Sequence, residues 1–146
     1  MPSKTIDIES LKKKAKAFRR DILETLEAAG SGHPGGSLSA VEIFLTLYGY
    51  QINHKSDDPR WEDRDRVIVS KGHASPVVYV TLANFGYFSR EELKTFRKFG
   101  ARLQGHVHSK VPGVEFNTGS LGHGLSFANG IALGARMAAK DFKVFA

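Results

Sequence analysis

The stretch that decides the fold is Asn117-Thr118-Gly119-Ser120-Leu121-Gly122-His123-Gly124-Leu125-Ser126. Its three glycines lie within six residues, so the backbone can turn sharply and approach another backbone or a ligand without a Cβ in the way. A pattern of small residues from about Leu125 to Lys140 predicts a helix that packs closely against a sheet or another helix. The first N–H groups of such a helix lack partners within it and favour an anion. Taken alone, the stretch fits a tight turn into a packed helix as well as it fits a ligand-binding loop.

A second glycine-rich segment lies upstream and reads Ser31-Gly32-His33-Pro34-Gly35-Gly36-Ser37. Its density of Gly and Pro predicts a loop, which exposes His33 to whatever the loop faces. The segment follows a predicted amphipathic helix from about Ile8 to Ala29, which Gly30 ends. The apolar stripe of that helix consists of Leu11, Ala15, Phe18, Ile22 and Leu26.

The helix after this loop is predicted from its start signals. Ser39 and Glu42 form a capping-box pattern, with Leu38 and Ile43 as a hydrophobic staple. The helix is expected to run to about Leu47 or Tyr48, and the polar residues 53–65 that follow are expected to form a surface connection.

A strand, a turn and a helix are predicted around His73. The run Arg66–Ser70 is rich in β-branched residues and predicts a buried strand, and Lys71-Gly72-His73-Ala74 follows directly. Ser75 can cap the next helix and Pro76 can occupy its first turn, with the helix running to about Phe85. In open parallel sheets, ligands bind at the loops after the carboxyl ends of the strands, which makes His73 a candidate ligand-binding residue.

The segment from Ala101 to Thr118 shows no periodicity and predicts a long loop, of the kind that usually carries function. It follows a short helix that Ser89 and Glu92 are expected to cap and that is expected to end at Gly100. On an extended backbone His106 and His108 would face the same way, as two zinc ligands could. A zinc site needs three or four ligands, and no Cys or acidic cluster near these histidines could complete the set, so we expect no metal site.

Composition excludes several classes of function. The chain of 146 residues is long enough for one domain, residues 1–146, and its 41% apolar content is that of a globular protein. It has no cysteine, no apolar run long enough to span a membrane and no signal-peptide core, so we expect a cytoplasmic protein. Its net charge of +6 comes without a nucleic-acid-binding module, so we expect solvated helix faces and no binding to nucleic acid. The charge is also compatible with attraction to phosphorylated small molecules.

Taken in order, four segments resemble the pyrophosphate-binding N-terminal part of transketolase, and especially the N-terminal chain of its split form. They are Ser31–Gly36, Ser70–Ala74, Gly105-His106 and Thr118–Gly124. Each alone is a weak signal, but four in family order at compatible spacing make a strong one. The resemblance covers nearly the whole chain and implies an α/β thiamine-diphosphate-binding fold, with a mainly parallel sheet flanked by helices.

The resemblance also implies an activity: transfer of a two-carbon ketol unit from a ketose phosphate to an aldose phosphate, with thiamine diphosphate and Mg²⁺. His73 would contact the diphosphate. The turn Gly119, Ser120, Leu121 and Gly122 would hold the rest of the cofactor, with Gly119 beside the aminopyrimidine and Leu121 beside the thiazolium. His33 and His106 would contact the donor sugar and assist proton transfer, which suits an imidazole near neutral pH.

Two departures from the family pattern affect these expectations. His123 stands where many members carry Gln, which preserves hydrogen bonding. The family's Gly-Asp-Gly turn and later Asn, which bind the metal, and the glutamate that activates the cofactor have no counterparts here. We therefore expect the metal ligands outside this chain, and we expect the chain to be inactive by itself. It would work with a transketolase C-terminal chain or domain, in a homo- or hetero-oligomer.

Three alternatives stay open at the level of sequence. A dihydroxyacetone synthase differs mainly in its acceptor. A deoxyxylulose-phosphate synthase usually departs from the His-Pro-Gly form at His33. A non-catalytic assembly subunit would keep the fold and lack the metal ligands. The wrong glycine spacing argues against a Rossmann motif, and no Gly-Lys-Ser/Thr indicates a P-loop.

Overall fold

The first helix forms as its sequence predicts. A computed structural model describes residues 6–146, and in it α1 spans Ile8–Ala29. The Asp7 carboxylate accepts the Ser10 N–H at 3.0 Å, which caps the first turn, and Gly30 ends the helix with a φ of +63°. The predicted stripe is confirmed as core: Ala15, Phe18, Ile22 and Leu26 are buried, and Leu11 packs against them half-buried.

Four further α-helices and two short strands complete the unit. They are α2 (Pro34–Leu38), α3 (Val41–Thr46), β1 (Arg66–Val67), α4 (Ser75–Asn84), α5 (His123–Met137) and β2 (Val144–Phe145). A π-helical turn covers Leu47–Gln51, and 3₁₀ turns cover Gly72–Ala74 and Arg90–Thr95. The predicted long loop is confirmed, since residues 101–118 contain no helix or strand.

Helix α4 is the centre of the fold. Nine of its ten residues are buried, and its apolar residues lie on all sides of the helix instead of on one stripe. Helices α1, α2 and α3 and the Arg90–Thr95 turn all pack against it. Such a helix can only be stable when it is surrounded, so α4 fixes where the other elements lie.

One predicted loop and one predicted helix cap were wrong. Part of the predicted loop Ser31–Ser37 is helical, because Pro34 at the first position of α2 has a φ already suited to a helix. Ser39 does not cap α3, since its hydroxyl donates to the Gly36 carbonyl and Ala40 takes the capping position. Glu42 binds Arg19 instead of a backbone N–H.

The other capping signals were right in part. Ile43, the second residue of the predicted staple before α3, is 59% exposed and cannot close one. Ser75 lies inside α4 and its hydroxyl binds the Gly105 carbonyl, so it does not cap that helix. Ser89 does cap its turn, but Glu92 binds Arg102 instead of completing a capping box. That turn ends at Thr95 and not at Gly100.

The α/β class and the parallel strand pairing are confirmed, but the sheet is small. Strands β1 and β2 pair in parallel with Arg66 opposite Val144 and Val67 opposite Phe145. The strand is shorter than the predicted Arg66–Ser70. Its start is held by Asp65, whose buried carboxylate accepts the backbone N–H of Asn53 at 2.7 Å and that of Lys143 at 2.6 Å.

Helix α5 does not pack as its small residues predicted. A Cβ added at Gly130 or Gly134 would meet no atom within 4 Å, so among the described residues nothing covers these glycines. Only Gly124, Ala128 and Ala135 of the helix are buried. Several large apolar side chains on or beside α5 are exposed: Leu121, Leu125, Phe127, Leu133 and Met137. No helix in the described part of the chain is long and apolar enough to cross a membrane.

We predict that Asp65→Asn lowers the free energy of unfolding by about 2 kcal/mol or more. An amide has only one acceptor oxygen, so it turns its own NH₂ group towards one of the two backbone donors that the carboxylate now satisfies. Urea denaturation measures the change. Asp57→Asn, an exposed carboxylate in the same connection, is the matched control and should change stability by less than about 0.5 kcal/mol. Equal stability of the two variants would contradict this role of Asp65.

Candidate active site

Three histidines from distant parts of the chain come together. His33 immediately precedes α2, His73 lies in the Gly72–Ala74 turn and His106 lies in the long loop. The ring centroid of His33 is 5.3 Å from that of His73 and 6.3 Å from that of His106. His33 and His106 are exposed and His73 is half-buried. The cluster therefore offers imidazoles that can donate hydrogen bonds to a ligand or accept them from it.

Lys71 fastens the His33 turn to the His73 turn. Its ammonium group donates to the Gly36 carbonyl at 2.9 Å and lies 3.4 Å from the Ser39 hydroxyl. A Cβ on Gly36 would lie 3.5 Å from the His73 Nε2, so the backbone of the turn passes close to that ring. No sequence pattern predicts a role for Lys71, and only its place two residues before His73 could have suggested one.

Two hydroxyls of α4 hold the loop that carries His106. Ser75 and Tyr79 are four residues apart and share one face of the helix. The Ser75 hydroxyl donates to the Gly105 carbonyl and the Tyr79 hydroxyl donates to the His106 carbonyl, both at 2.9 Å. Burial raises the pKa of Tyr79 well above its ordinary value, so this phenol remains a hydrogen-bond donor. Their spacing on α4 was visible in the sequence, but their partners were not.

The glycine-rich stretch joins the site through two backbone contacts. A Cβ on Gly72 would lie 1.9 Å from the Thr118 carbonyl oxygen, and one on Gly124 would lie 2.6 Å from the Ser70 Cα. Neither position can hold a side chain unless the backbone moves. The Thr118 hydroxyl donates to the Val69 carbonyl and strengthens the first contact. The stretch is thus pressed against the residues that follow β1.

The turn Gly119–Gly122 lies next to His106, and most of its residues are exposed to solvent. A Cβ on Gly119 would lie 3.4 Å from the His106 Cδ2, and Gly122 has a φ of +88°. Ser120 is exposed and Leu121 is 71% exposed. Leu121 and Gly122 also line an apolar cavity of about 490 Å³ between α3 and β1. The turn can therefore contact a ligand, and the roles given to its residues stay predictions.

His123 begins α5 and lies exposed beside Phe116, with their ring centroids 6.1 Å apart. No ring contact joins His123 to the cluster of His33, His73 and His106 within the described residues. Its exposed side chain is accessible to a ligand.

Carboxylates contribute little to this region. Residues 6–146 contain no group of three or more His, Cys, Asp or Glu side chains that could hold a metal ion. The sequence has only two carboxylate side chains after Glu92, and these are Glu115 and Asp141. Glu115 already forms ion pairs, because Arg64 lies 2.6 Å and Arg66 lies 3.9 Å from its Oε2. Burial raises the pKa of Glu115 although both arginines lower it.

Comparison with known proteins identifies the family. A family model described as transketolase, thiamine diphosphate binding domain, matches residues 10–144. The chain belongs to the transketolase family. The structure has a TM-score of 0.91 to transketolase from Campylobacter jejuni, which is 35% identical, over 95% of this chain and 23% of that chain.

Relatives of two kinds match this transketolase-family chain. One of the subunits of apulose-4-phosphate transketolase from Phocaeicola vulgatus is 39% identical over 96% of this chain and 50% of its own length. Human transketolase is 40% identical over 86% of this chain and 20% of its own length. The chain thus spans about half the length of the curated subunits it matches, and a fifth of the length of human transketolase. The resemblance to the N-terminal chain of split transketolases is confirmed.

We predict that Gly72→Ala destabilises the protein by about 3 kcal/mol or more, because the new Cβ overlaps the Thr118 carbonyl. Gly49→Ala is the matched control, since its Cβ would lie 4.0 Å from the nearest atom of the Phe85 ring, an ordinary contact. Thermal and urea unfolding measure both variants, and amide spectra report whether residues near Thr118 shift. A Gly72→Ala variant as stable as Gly49→Ala would contradict the close approach.

Proposed function

We propose that this chain is the N-terminal part of a transketolase that moves a two-carbon ketol unit from a ketose phosphate to an aldose phosphate. The observation that carries the proposal is the convergence of His33, His73 and His106 beside the glycine-rich turn that begins at Gly119. Membership of the transketolase family supports the reaction class. Thiamine diphosphate would supply the stabilisation of the carbanion, which no protein side chain provides.

The residues present fit thiamine diphosphate. The Ser70 hydroxyl is buried without a hydrogen-bond partner among the described residues, next to the Gly124 contact. The backbone from Gly119 to Gly122 is open, and Lys71 places a cation beside His73. His73 would hold the diphosphate, Gly119 and Ser120 would offer backbone, and Leu121 and Gly122 would pack beside the rings.

His33 and His106 would bind the substrate and transfer protons to and from it. Both rings are exposed, and their backbones are fixed, His33 by the start of α2 and His106 by the Tyr79 hydroxyl. Each imidazole can donate a hydrogen bond to a sugar hydroxyl or accept its proton, and it can return that proton later in the reaction. A proton-transfer group works best when its backbone is held in place and its ring can reach the substrate, and both histidines meet these conditions.

We also propose that the assembled enzyme uses Mg²⁺ and contains a second polypeptide. The negative charges of a diphosphate are normally shared with Mg²⁺, whose ligands we place outside this chain. Relatives from Phocaeicola vulgatus and Actinobacillus succinogenes are named as individual transketolase subunits, which supports a complementary C-terminal polypeptide for this chain as well. The large apolar side chains exposed around α5 are consistent with assembly into an oligomer.

Related chains suggest a class of substrate for this one. The P. vulgatus relative is named for apulose 4-phosphate and one from Clostridium for 6-deoxy-6-sulfo-D-fructose, so related chains serve more than one ketose. We propose pentose and hexose phosphates of carbohydrate metabolism as substrates. We propose the cytoplasm as the location, since the chain contains no cysteine for disulfides.

We predict that thiamine diphosphate and Mg²⁺ produce no binding heat with the chain alone, because its described residues offer no cluster of carboxylates for the metal. Addition of the matching C-terminal chain should produce binding and ketol transfer in the same sample. Calorimetric titration and a coupled assay measure the two. Tight Mg²⁺-dependent binding by the chain alone would contradict the missing metal ligands. Binding without transfer in the assembled sample would favour a non-catalytic assembly subunit.

We predict that His33→Asn and His106→Asn each lower kcat of the assembled enzyme by about 10²- to 10⁴-fold, because each removes a proton-transfer group. Cofactor affinity should stay unchanged in both, whereas His73→Asn should weaken it. His108→Asn is the control, since among residues 6–146 the only hydrogen bond of that side chain is the one it accepts from the Lys110 N–H at 3.1 Å, within the same loop. Full activity of both His33→Asn and His106→Asn would overturn their assigned roles.

A further inference from the structure

Four consecutive residues lead from the long loop into the turn Gly119–Gly122, and each of their side chains contacts a different neighbour. These contacts join Glu115 to Arg64, Phe116 to Phe127, Asn117 to Ser109 and Thr118 to Val69. The neighbours belong to the connection before β1, to helix α5, to the loop itself and to the residues after β1. The turn therefore begins from a segment that is held on several sides. Glu115 is the only charged side chain of the four.

Glu115 lies beside two arginines that are themselves held in place. Its Oε2 is 2.6 Å from the Arg64 Nη2 and 3.9 Å from the Arg66 Nε, and the exposed fraction of each of the three side chains lies between 12% and 16%. Arg64 also donates to the Trp61 carbonyl at 2.9 Å, and Arg66 donates to the Glu62 carbonyl at 2.7 Å. Backbone groups of the connection before β1 thus orient both guanidinium groups. The arginines in turn fix where the Glu115 carboxylate lies.

This cluster of Glu115, Arg64 and Arg66 is poorly suited to stabilising the fold. Burial raises the pKa of Glu115 and lowers the pKa of Arg66, so removal from water works against both charged forms. The Arg64 Nε is buried without a hydrogen-bond partner among the described residues. Buried ion pairs often contribute no more stability than apolar side chains of similar volume, although their geometry can specify one arrangement of the chain. The position that the cluster gives to the loop therefore explains it better than stability does.

Residues 115–118 determine where the turn lies. Thr118 is pressed against Gly72, the residue before His73, at a distance that leaves no room for a side chain. Gly119 follows directly and begins the turn. A shift of this run would therefore move the turn relative to His73, to which the proposed function assigns the diphosphate.

We propose that Glu115 is a positioning residue, which Arg64 and Arg66 hold in place and which sets the position of the turn Gly119–Gly122. The carboxylate touches neither cofactor nor substrate and acts through the three residues that follow it. A turn that is already in place binds its ligand without first paying for its own ordering. That the ligand is thiamine diphosphate rests on the proposed function, whereas the effect of Glu115 on the turn does not depend on it.

The first test compares the turn among variants of the chain by ¹⁵N NMR. Glu115→Gln removes the negative charge and keeps the size of the side chain, so we expect the amide signals of residues 118–122 to shift or broaden. Glu115→Asp keeps the charge but is one methylene shorter. It should displace the same signals, because the carboxylate then reaches Arg64 only if the loop moves, and it decides the question if Glu115→Gln does not fold.

The matched control is Glu62→Gln, which removes a carboxylate from the neighbouring surface. Glu62 is exposed and pairs with the Lys140 Nζ at 3.2 Å, so its loss should leave the signals of residues 118–122 unchanged. Unchanged turn signals in the folded Glu115 variants would overturn the proposal. Equal changes in Glu62→Gln would overturn it as well, because any lost charge would then have the same effect.

The second test measures cofactor binding in the complex with the matching C-terminal chain. Glu115→Gln should weaken thiamine diphosphate binding in the presence of Mg²⁺ by about 10- to 100-fold, because the turn must be brought into place at each binding event. At saturating cofactor, kcat should stay within about twofold of the wild type, since the bound turn regains its position. Arg64→Gln should weaken binding in the same way, and Arg64→Lys, which keeps the positive charge, should restore part of the loss.

The two readouts separate positioning from catalysis. A lower kcat with unchanged cofactor affinity in Glu115→Gln would overturn the positioning role. So would a loss of affinity in Glu62→Gln equal to that in Glu115→Gln. If the wild-type complex neither binds thiamine diphosphate nor transfers a ketol unit, the proposed function fails, and the NMR comparison alone decides whether Glu115 positions the turn.

Discussion

The close contact between Gly72 and Thr118 is the constraint on which the site depends. No side chain fits between them, so the turn after β1 and the glycine-rich stretch touch backbone to backbone. The Val107 N–H donates to the Gly72 carbonyl at 3.1 Å, which brings the His106 loop to the same residue. The turn after β1 and both ends of the later loop region therefore meet at one glycine. The imidazoles are close together because their backbones are.

Helix α4 provides the rigid base for this meeting point. Each of its buried Val and Leu side chains contributes roughly 1.5–3 kcal/mol, whereas each hydrogen bond from Ser75 or Tyr79 contributes about 1 kcal/mol net. Burial therefore decides where α4 lies. The two hydroxyls then decide which way the Gly105-His106 loop faces. Stability and site geometry thus come from different interactions of the same helix.

Charged side chains in this fold differ in whether they have a partner of opposite charge. Exposed pairs such as Lys12 with Glu9 contribute little to stability, because water screens them. Other basic side chains are neutralised in less exposed pairs, such as Arg64 with Glu115. Lys71 has no carboxylate partner among the described residues, and its ammonium group binds the Gly36 carbonyl, whose residue lies close to the His73 ring. One cation without an acidic partner is therefore found beside His73.

The sequence by itself determined several local elements and supplied the candidate site residues. Helix α1, the strand at Arg66 and the candidate histidines follow from periodicity, β-branching and glycine pattern, which act over a few residues. Only the tertiary structure decided which partner each polar group takes. Ser39 and Ser75 had capping patterns, yet both hydroxyls bind carbonyls of other turns. Likewise α5 is rich in small residues but remains largely exposed. A hydrogen bond or a packing face is chosen among neighbours that only the folded chain brings together, so no local pattern could specify it.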